Sequence, residues 1–203
     1  MAPSSVPRRP ALLLIDAQVA MATRRDAGDP WAEPLAEARI AALRAAFRAA
    51  GLPVIHVHHH TDDPQDDFHP AHPGAQPLPA AHPLPGEAVV IKHGSSAFIG
   101  TDLAARLAAL GDPPLVIAGG EVNFCIDTTT RMAGNLGYRA TVASDALIGF
   151  GVRLRDGRQF SAGDVMALTL ADLDSSFAQV ATSDEILARL TWPPRLAWPP
   201  GLT

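Results

Sequence analysis

Residues 114–145, PLVIAGGEVNFCIDTTTRMAGNLGYRATVASD, set the architecture of this chain. PLVIAG (114–119) is a short unbroken apolar run, the pattern of a strand covered on both faces. CIDTTTRMAGNL (125–136) reads as a helix stopped by Gly137, and YRATVASD (138–145) as the next strand. Strand, helix, strand in so short a span is a crossover unit, and its two strands must run parallel. Cys125, the only cysteine among 203 residues, lies at the start of that helix, just past the pair Gly119–Gly120.

The same alternation extends in both directions. ALLLID (11–16) is a second continuous apolar run, LPVIHVH (52–58) a third and EAVVIK (87–92) a fourth. Between them, an Ala-rich amphipathic segment over about 31–50 ends at Gly51. TDLAARLAAL (101–110) is a helix with Thr101 as its expected cap, and SAGDVMALTLADL (161–173) another. FAQVAT (177–182) predicts a short edge strand, and SDEILARL (183–190) a last helix with Ser183 as capping candidate. Residues 61–86, rich in Pro, His and Asp and without a period, predict a long surface loop. The expectation is an α/β protein: a three-layer α/β/α sandwich around a doubly wound, mainly parallel sheet. Residues 1–10 form an arm, 11–190 the domain, and 191–203 a tail with two tryptophans among prolines.

Composition narrows the function. Hydrophobic residues make up 47%, enough for a packed core. A net charge of −5 with no basic stripe argues against nucleic acid as partner. The run Ala11–Ile15 is too short for a signal peptide, and no stretch has the length of a membrane span. A single Cys cannot form an internal disulfide, so a soluble cytoplasmic protein is expected.

In a sheet of this kind, ligands bind beyond the carboxyl ends of the strands. Asp16 closes the first strand, Lys92 the third, and Cys125 follows the fourth. Each alone has a plainer reading: Asp16 as a turn cap, Lys92 as a solvated strand end, Cys125 as a small apolar side chain. Together they offer an acid, an ammonium and a thiol. A free thiol has a pKa of about 8.5 and becomes a strong nucleophile on losing its proton. The N–H groups of a helix start and a nearby ammonium both favour that loss. A carboxylate could take the proton and pass it to a leaving amine.

The segments LLLIDAQ, IKHGSSAFIGTDL and GGEVNFCIDTTTRMAGNLGYRATVASDA, in this order, resemble the three signature regions of the isochorismatase-like cysteine hydrolases. That family includes nicotinamidases and carbamoylsarcosine amidohydrolase, and the likeness runs from about Pro10 to Leu190. The resemblance implies a triad of Asp16, Lys92 and Cys125, with Cys125 attacking a carbonyl to form a thioester. It implies a cis peptide at Gly120–Glu121 and an oxyanion hole made by the backbone N–H groups of Glu121 and Cys125. Phe98 is implied as a wall of the site; the candidate substrate-binding residues beside it are Gln18, to orient the substrate or Asp16, and Phe124 and Phe150, as apolar pocket residues or simple core. The expected substrate is a small amide, lactam or carbamoyl compound, with no cofactor, no membrane partner and a homo-oligomeric assembly, dimer or tetramer. The members that cleave a vinyl ether do not use this cysteine, so Cys125 points to C–N hydrolysis.

Two departures stand out. Glu121 and Val122 replace residues that are small in many members. The Asp-x-His pair that holds a metal in nicotinamidases is missing, although His56, His58 and His60 alternate along a strand. No metal site is therefore expected. The rival readings are a catalytically silent ligand-binding member of the fold and a metal-assisted hydrolase using the histidines.

Overall fold

Leu12, Leu13, Leu14 and Ile15 have almost no exposed surface, because both faces of their strand are covered. In the computed structural model, which describes residues 9–191, this strand is β1 (Ala11–Ile15) at the middle of a six-stranded sheet. The others are β2 (Val54–His59), β3 (Ala88–Lys92), β4 (Leu115–Gly119), β5 (Ala140–Leu147) and β8 (Gln179–Ala181), ordered β3-β2-β1-β4-β5-β8. Every pairing in it is parallel. The arm and the tryptophan-rich tail fall almost entirely outside the described residues.

Alternate side chains feed two separate cores. Leu13, Ile15, Val57, Val90 and Ile117 pack against α3 (Leu103–Ala109), α4 (Asp127–Asn135) and α5 (Ala162–Ser176). Leu12, Leu14, Val54 and Val116 pack against α1 (Val19–Asp26), α2 (Ala36–Ala49) and α6 (Ser183–Thr191). The three-layer, doubly wound architecture is thus the one expected. Among the described residues, no helix is long and apolar enough to cross a membrane.

Several local readings need correction. Helix α1 was not foreseen: no side chain caps it at Gln18, and two of its last residues are Arg24 and Arg25. A small antiparallel hairpin, β6 (Val152–Arg153) with β7 (Gln159–Phe160), also lacked a signal, each strand being two residues long. The cap of α6 is Thr182 and not Ser183. The Glu185 N–H donates to Thr182 Oγ1 at 3.3 Å while the Thr182 N–H donates to the Glu185 carboxylate at 2.8 Å. Ser183 instead donates from N–H and hydroxyl to Asp145. Asp102, not Thr101, stands at the N-cap of α3; the Thr101 hydroxyl accepts from the Leu103 N–H at 3.3 Å and donates to the Ala97 carbonyl at 2.6 Å.

The strand order reverses between β1 and β4, since the chain goes outward from β1 to β3 and then returns to β4 on the other side. This switch point leaves a crevice beyond the carboxyl ends of the two strands. Asp16 and Gly119–Gly120 are the residues that reach it.

Candidate active site

Asp16 follows β1 with φ 46°, a left-handed conformation that ordinary residues avoid. It is held there on both sides: the Asp16 N–H donates to the Val57 carbonyl, and the Gln18 N–H donates to the Asp16 carbonyl, each at 2.8 Å. The turn brings the carboxyl group into the crevice, where it is 1% exposed. Holding a non-glycine residue in this region costs on the order of 1–3 kcal/mol, and such conformations persist where the surroundings over-determine them.

Lys92 ends β3 and is fully buried. Its ammonium lies 2.6 Å from Asp16 Oδ2, donates to the Gly94 carbonyl at 3.0 Å, and donates to Cys125 Sγ at 3.2 Å. An ammonium has three N–H donors, so these contacts use them all. The amine from β3 therefore joins the acid from β1 to the thiol beyond β4.

Gly119, at the end of β4, has φ 116°, and a Cβ there would lie 2.0 Å from the Ile15 carbonyl oxygen. Only glycine lets the two strands come so close. The Gly120 N–H donates to that same carbonyl at 2.8 Å, and the Gly120–Glu121 peptide is cis. Residues Val122–Ile126 then form a π-helical turn, with the Ile126 N–H donating to the Glu121 carbonyl at 3.2 Å. Cys125 sits in this turn, and α4 begins only at Asp127. The expected start of an α-helix at Cys125 is corrected by one wider turn, a feature that often marks functional sites. The Gly120, Val122, Phe124 and Ile126 N–H groups all donate to carbonyls, whereas that of Glu121 has no such partner among the described residues.

The electrostatics differ from the expectation of a thiolate primed at rest. Burial, aided by the charge of Asp16, pushes the Cys125 thiol up to about 12, against a weaker opposing effect of Lys92. Burial also raises the Asp16 carboxyl above its ordinary range, more than the adjacent ammonium lowers it. Asp16 Oδ1 is buried and accepts no hydrogen bond. Burial thus favours a protonated thiol in this crevice, where the Lys92 ammonium contacts both groups.

Among the four expected substrate contacts, Phe124 alone is well exposed, at 52%, next to Cys125 in the sequence. Phe98 is buried and stacks on Tyr138, with ring centroids 5.6 Å apart. Phe150 is fully buried beneath the Arg24 guanidinium, which lies 3.8 Å above its ring. Gln18 has no exposed surface; its amide donates to the His59 and Ala75 carbonyls at 3.0 and 2.8 Å and accepts from the His59 N–H at 2.8 Å. The structure corrects its assignment: Gln18 ties β2 and the long loop to the start of α1, and its polar atoms are already engaged.

The histidines also divide. His56 pairs with Glu87 at 2.9 Å, and Glu87 pairs with Arg48 at 2.6 Å, so this histidine braces the sheet against α2. His59 stands edge-on to Phe68 of the long loop. Burial holds both His58 and His59 down to about 4, so they are neutral at physiological pH. Among the described residues, no three His, Cys, Asp or Glu side chains converge in a way that could hold a metal.

Sequence reasoning missed Arg24 and Asp29, which gather around the side chain of Glu121. Their signal was the pair Arg24–Arg25 in a segment not recognised as a helix.

The sequence profile of the isochorismatase domain matches residues 10–185. The isochorismatase family protein YrdC of Bacillus subtilis is 32% identical over 180 residues, covering 87% of this chain and 94% of that protein. A solved structure of the isochorismatase family from Chromobacterium violaceum is 41% identical, covers 92% of this chain and 98% of its own, and superposes with a TM-score of 0.85. Streptothricin hydrolase of Streptomyces noursei is 31% identical over 176 residues, and the match spans 60% of its length.

Proposed function

The chain belongs to the isochorismatase family of hydrolases, and we propose that it cleaves the C–N bond of a small amide, lactam or carbamoyl compound through a thioester on Cys125. The observation that carries this reading is the double contact of Lys92, 2.6 Å from Asp16 and 3.2 Å from Cys125. The likeness to streptothricin hydrolase supports a hydrolytic reaction.

The steps follow from the positions. Asp16 accepts the thiol proton as Sγ attacks the substrate carbonyl carbon, so the thiolate forms only when its electrophile is present. Lys92 keeps both groups in place and balances the negative charge that passes between them. The developing oxyanion accepts hydrogen bonds from the backbone N–H groups of Glu121 and Cys125. The C–N bond then breaks, Asp16 returns the proton to the leaving nitrogen, and a thioester remains. Water attacks that carbonyl with Asp16 again taking a proton; the carboxylic acid departs and the thiol is restored. Phe124 supplies an apolar wall for the substrate at the mouth of the crevice.

The test is a panel of small primary amides, lactams and ureides assayed for ammonia or amine release across pH. Catalysis needs the ionised form of Asp16, whose pKa is raised. Activity is therefore lost as pH falls through that raised pKa, and kcat/KM should decline at a pH above the ordinary carboxylate range. A flat acid limb down to pH about 4 contradicts the assignment of Asp16 as base. No release from any member of the panel would favour the silent ligand-binding reading.

A further inference from the structure

Glu121 poses an electrostatic problem for the hydrolase reading, on which this inference rests. Its backbone N–H is the proposed oxyanion donor, and its own carboxylate cannot lie far from that N–H by covalent reach. A carboxylate there opposes negative charge building on the substrate oxygen. The side chain is only 13% exposed, so water screens it poorly. Among the described residues, the cation paired with it is Arg24. The Arg24 guanidinium lies 3.3 Å from Glu121 Oε2, 2.7 Å from Asp29 Oδ2, and 3.8 Å above the centre of the buried Phe150 ring.

We infer that Arg24 is a positioning residue that acts through Glu121, holding and neutralising its carboxylate so that the oxyanion donor presents no opposing charge. Phe150 fixes the plane of the guanidinium and Asp29 fixes its edge, which leaves a terminal nitrogen for Glu121. The balance is close, because Asp29 and Glu121 share the Arg24 guanidinium. Burial and Asp29 raise the Glu121 carboxyl while Arg24 lowers it. Helix α1 thereby acquires a role that its weak sequence signal did not suggest.

The test measures acyl capture and needs no knowledge of the natural substrate. The probe is p-nitrophenyl acetate: Sγ forms a bond to the acetyl carbon, the ester C–O bond breaks, p-nitrophenolate leaves as a burst, and the thiol proton passes to Asp16. Arg24→Gln should slow the burst about tenfold near pH 8, with Arg24→Lys recovering part of the loss. In a Glu121→Gln background, the same Arg24→Gln change should have no further effect. The deficit of Arg24→Gln should also shrink as pH falls and Glu121 takes a proton, since a neutral side chain needs no counter-ion. An equal slowing in both backgrounds, independent of pH, overturns the inference and leaves the hydrolase reading standing. Absence of any burst that depends on Cys125 overturns both.

Discussion

Cys125→Ala abolishes ammonia or amine release from every small amide the wild type cleaves, while the protein remains folded. The expected fall in kcat is on the order of 10⁴–10⁶, the range seen when a nucleophile is removed from a covalent mechanism. The fold should survive because the change is local. Lys92 loses one acceptor but keeps Asp16 Oδ2 at 2.6 Å and the Gly94 carbonyl at 3.0 Å. The cost should be about 1 kcal/mol, the ordinary net value of one hydrogen bond, measured as a small shift in urea midpoint. A large loss of stability would mean that the sulfur is a structural member of the crevice; a small loss of activity would mean that it is not the nucleophile. Since Cys125 is the only cysteine, neither result can be blurred by another thiol.

Asp16→Asn should separate two properties that usually change together. Hydrolysis should drop by at least about 10³-fold, because the thiol loses its proton acceptor and the leaving nitrogen its donor. Alkylation of Cys125 by iodoacetamide at neutral pH should become faster. The charge of Asp16 raises the thiol, whereas Lys92 lowers it. Replacing the carboxylate by a neutral amide removes the first influence and keeps the second, so the thiolate fraction at a given pH goes up. An inert structural cysteine would show no such rise. A parallel decrease in both rates would instead indicate that Asp16 activates the resting thiol directly.

The parts of this arrangement that were legible in the sequence are those fixed by strand periodicity. Continuous apolar runs such as ALLLI and LVIAG are buried on both faces, which allows little other than central parallel strands, and their ends locate Asp16 and the glycine pair; the run ending at Lys92 is instead an edge strand, with Val89 and Ile91 exposed. Short-range chemistry was read less well. Nothing local in VNFCI distinguishes a π-helical turn from the first turn of an α-helix; the difference lies in whether the Ile126 N–H reaches the Glu121 carbonyl, which depends on how the preceding backbone is held. Gln18 was expected to orient the substrate or Asp16. Its amide is taken by backbone groups of His59 and Ala75, one of them 57 positions away, and spacing along the chain carries no trace of that. Phe150 and Arg24 show the same limitation. An aromatic ring beyond a strand end suggests a pocket wall until a guanidinium from a distant helix is found covering it.

The thiol illustrates the difference between a motif and its physics. Lysine near cysteine suggested a low pKa, but burial and a carboxylate outweigh that lysine. On the proposed mechanism, the thiol would give up its proton only as a carbonyl is attacked.

On the proposed mechanism, the acyl group of the substrate sits on this sulfur during turnover. The most direct measurement is rapid acid quench of the wild-type protein with an amide it cleaves, followed by intact-mass and peptide-mass analysis. A transient mass increase equal to the acyl fragment is expected, confined to the peptide containing Cys125 and removed by hydroxylamine. Turnover at full rate with no acyl mass on that peptide at any quench time, under conditions where acyl transfer outpaces hydrolysis, would contradict it.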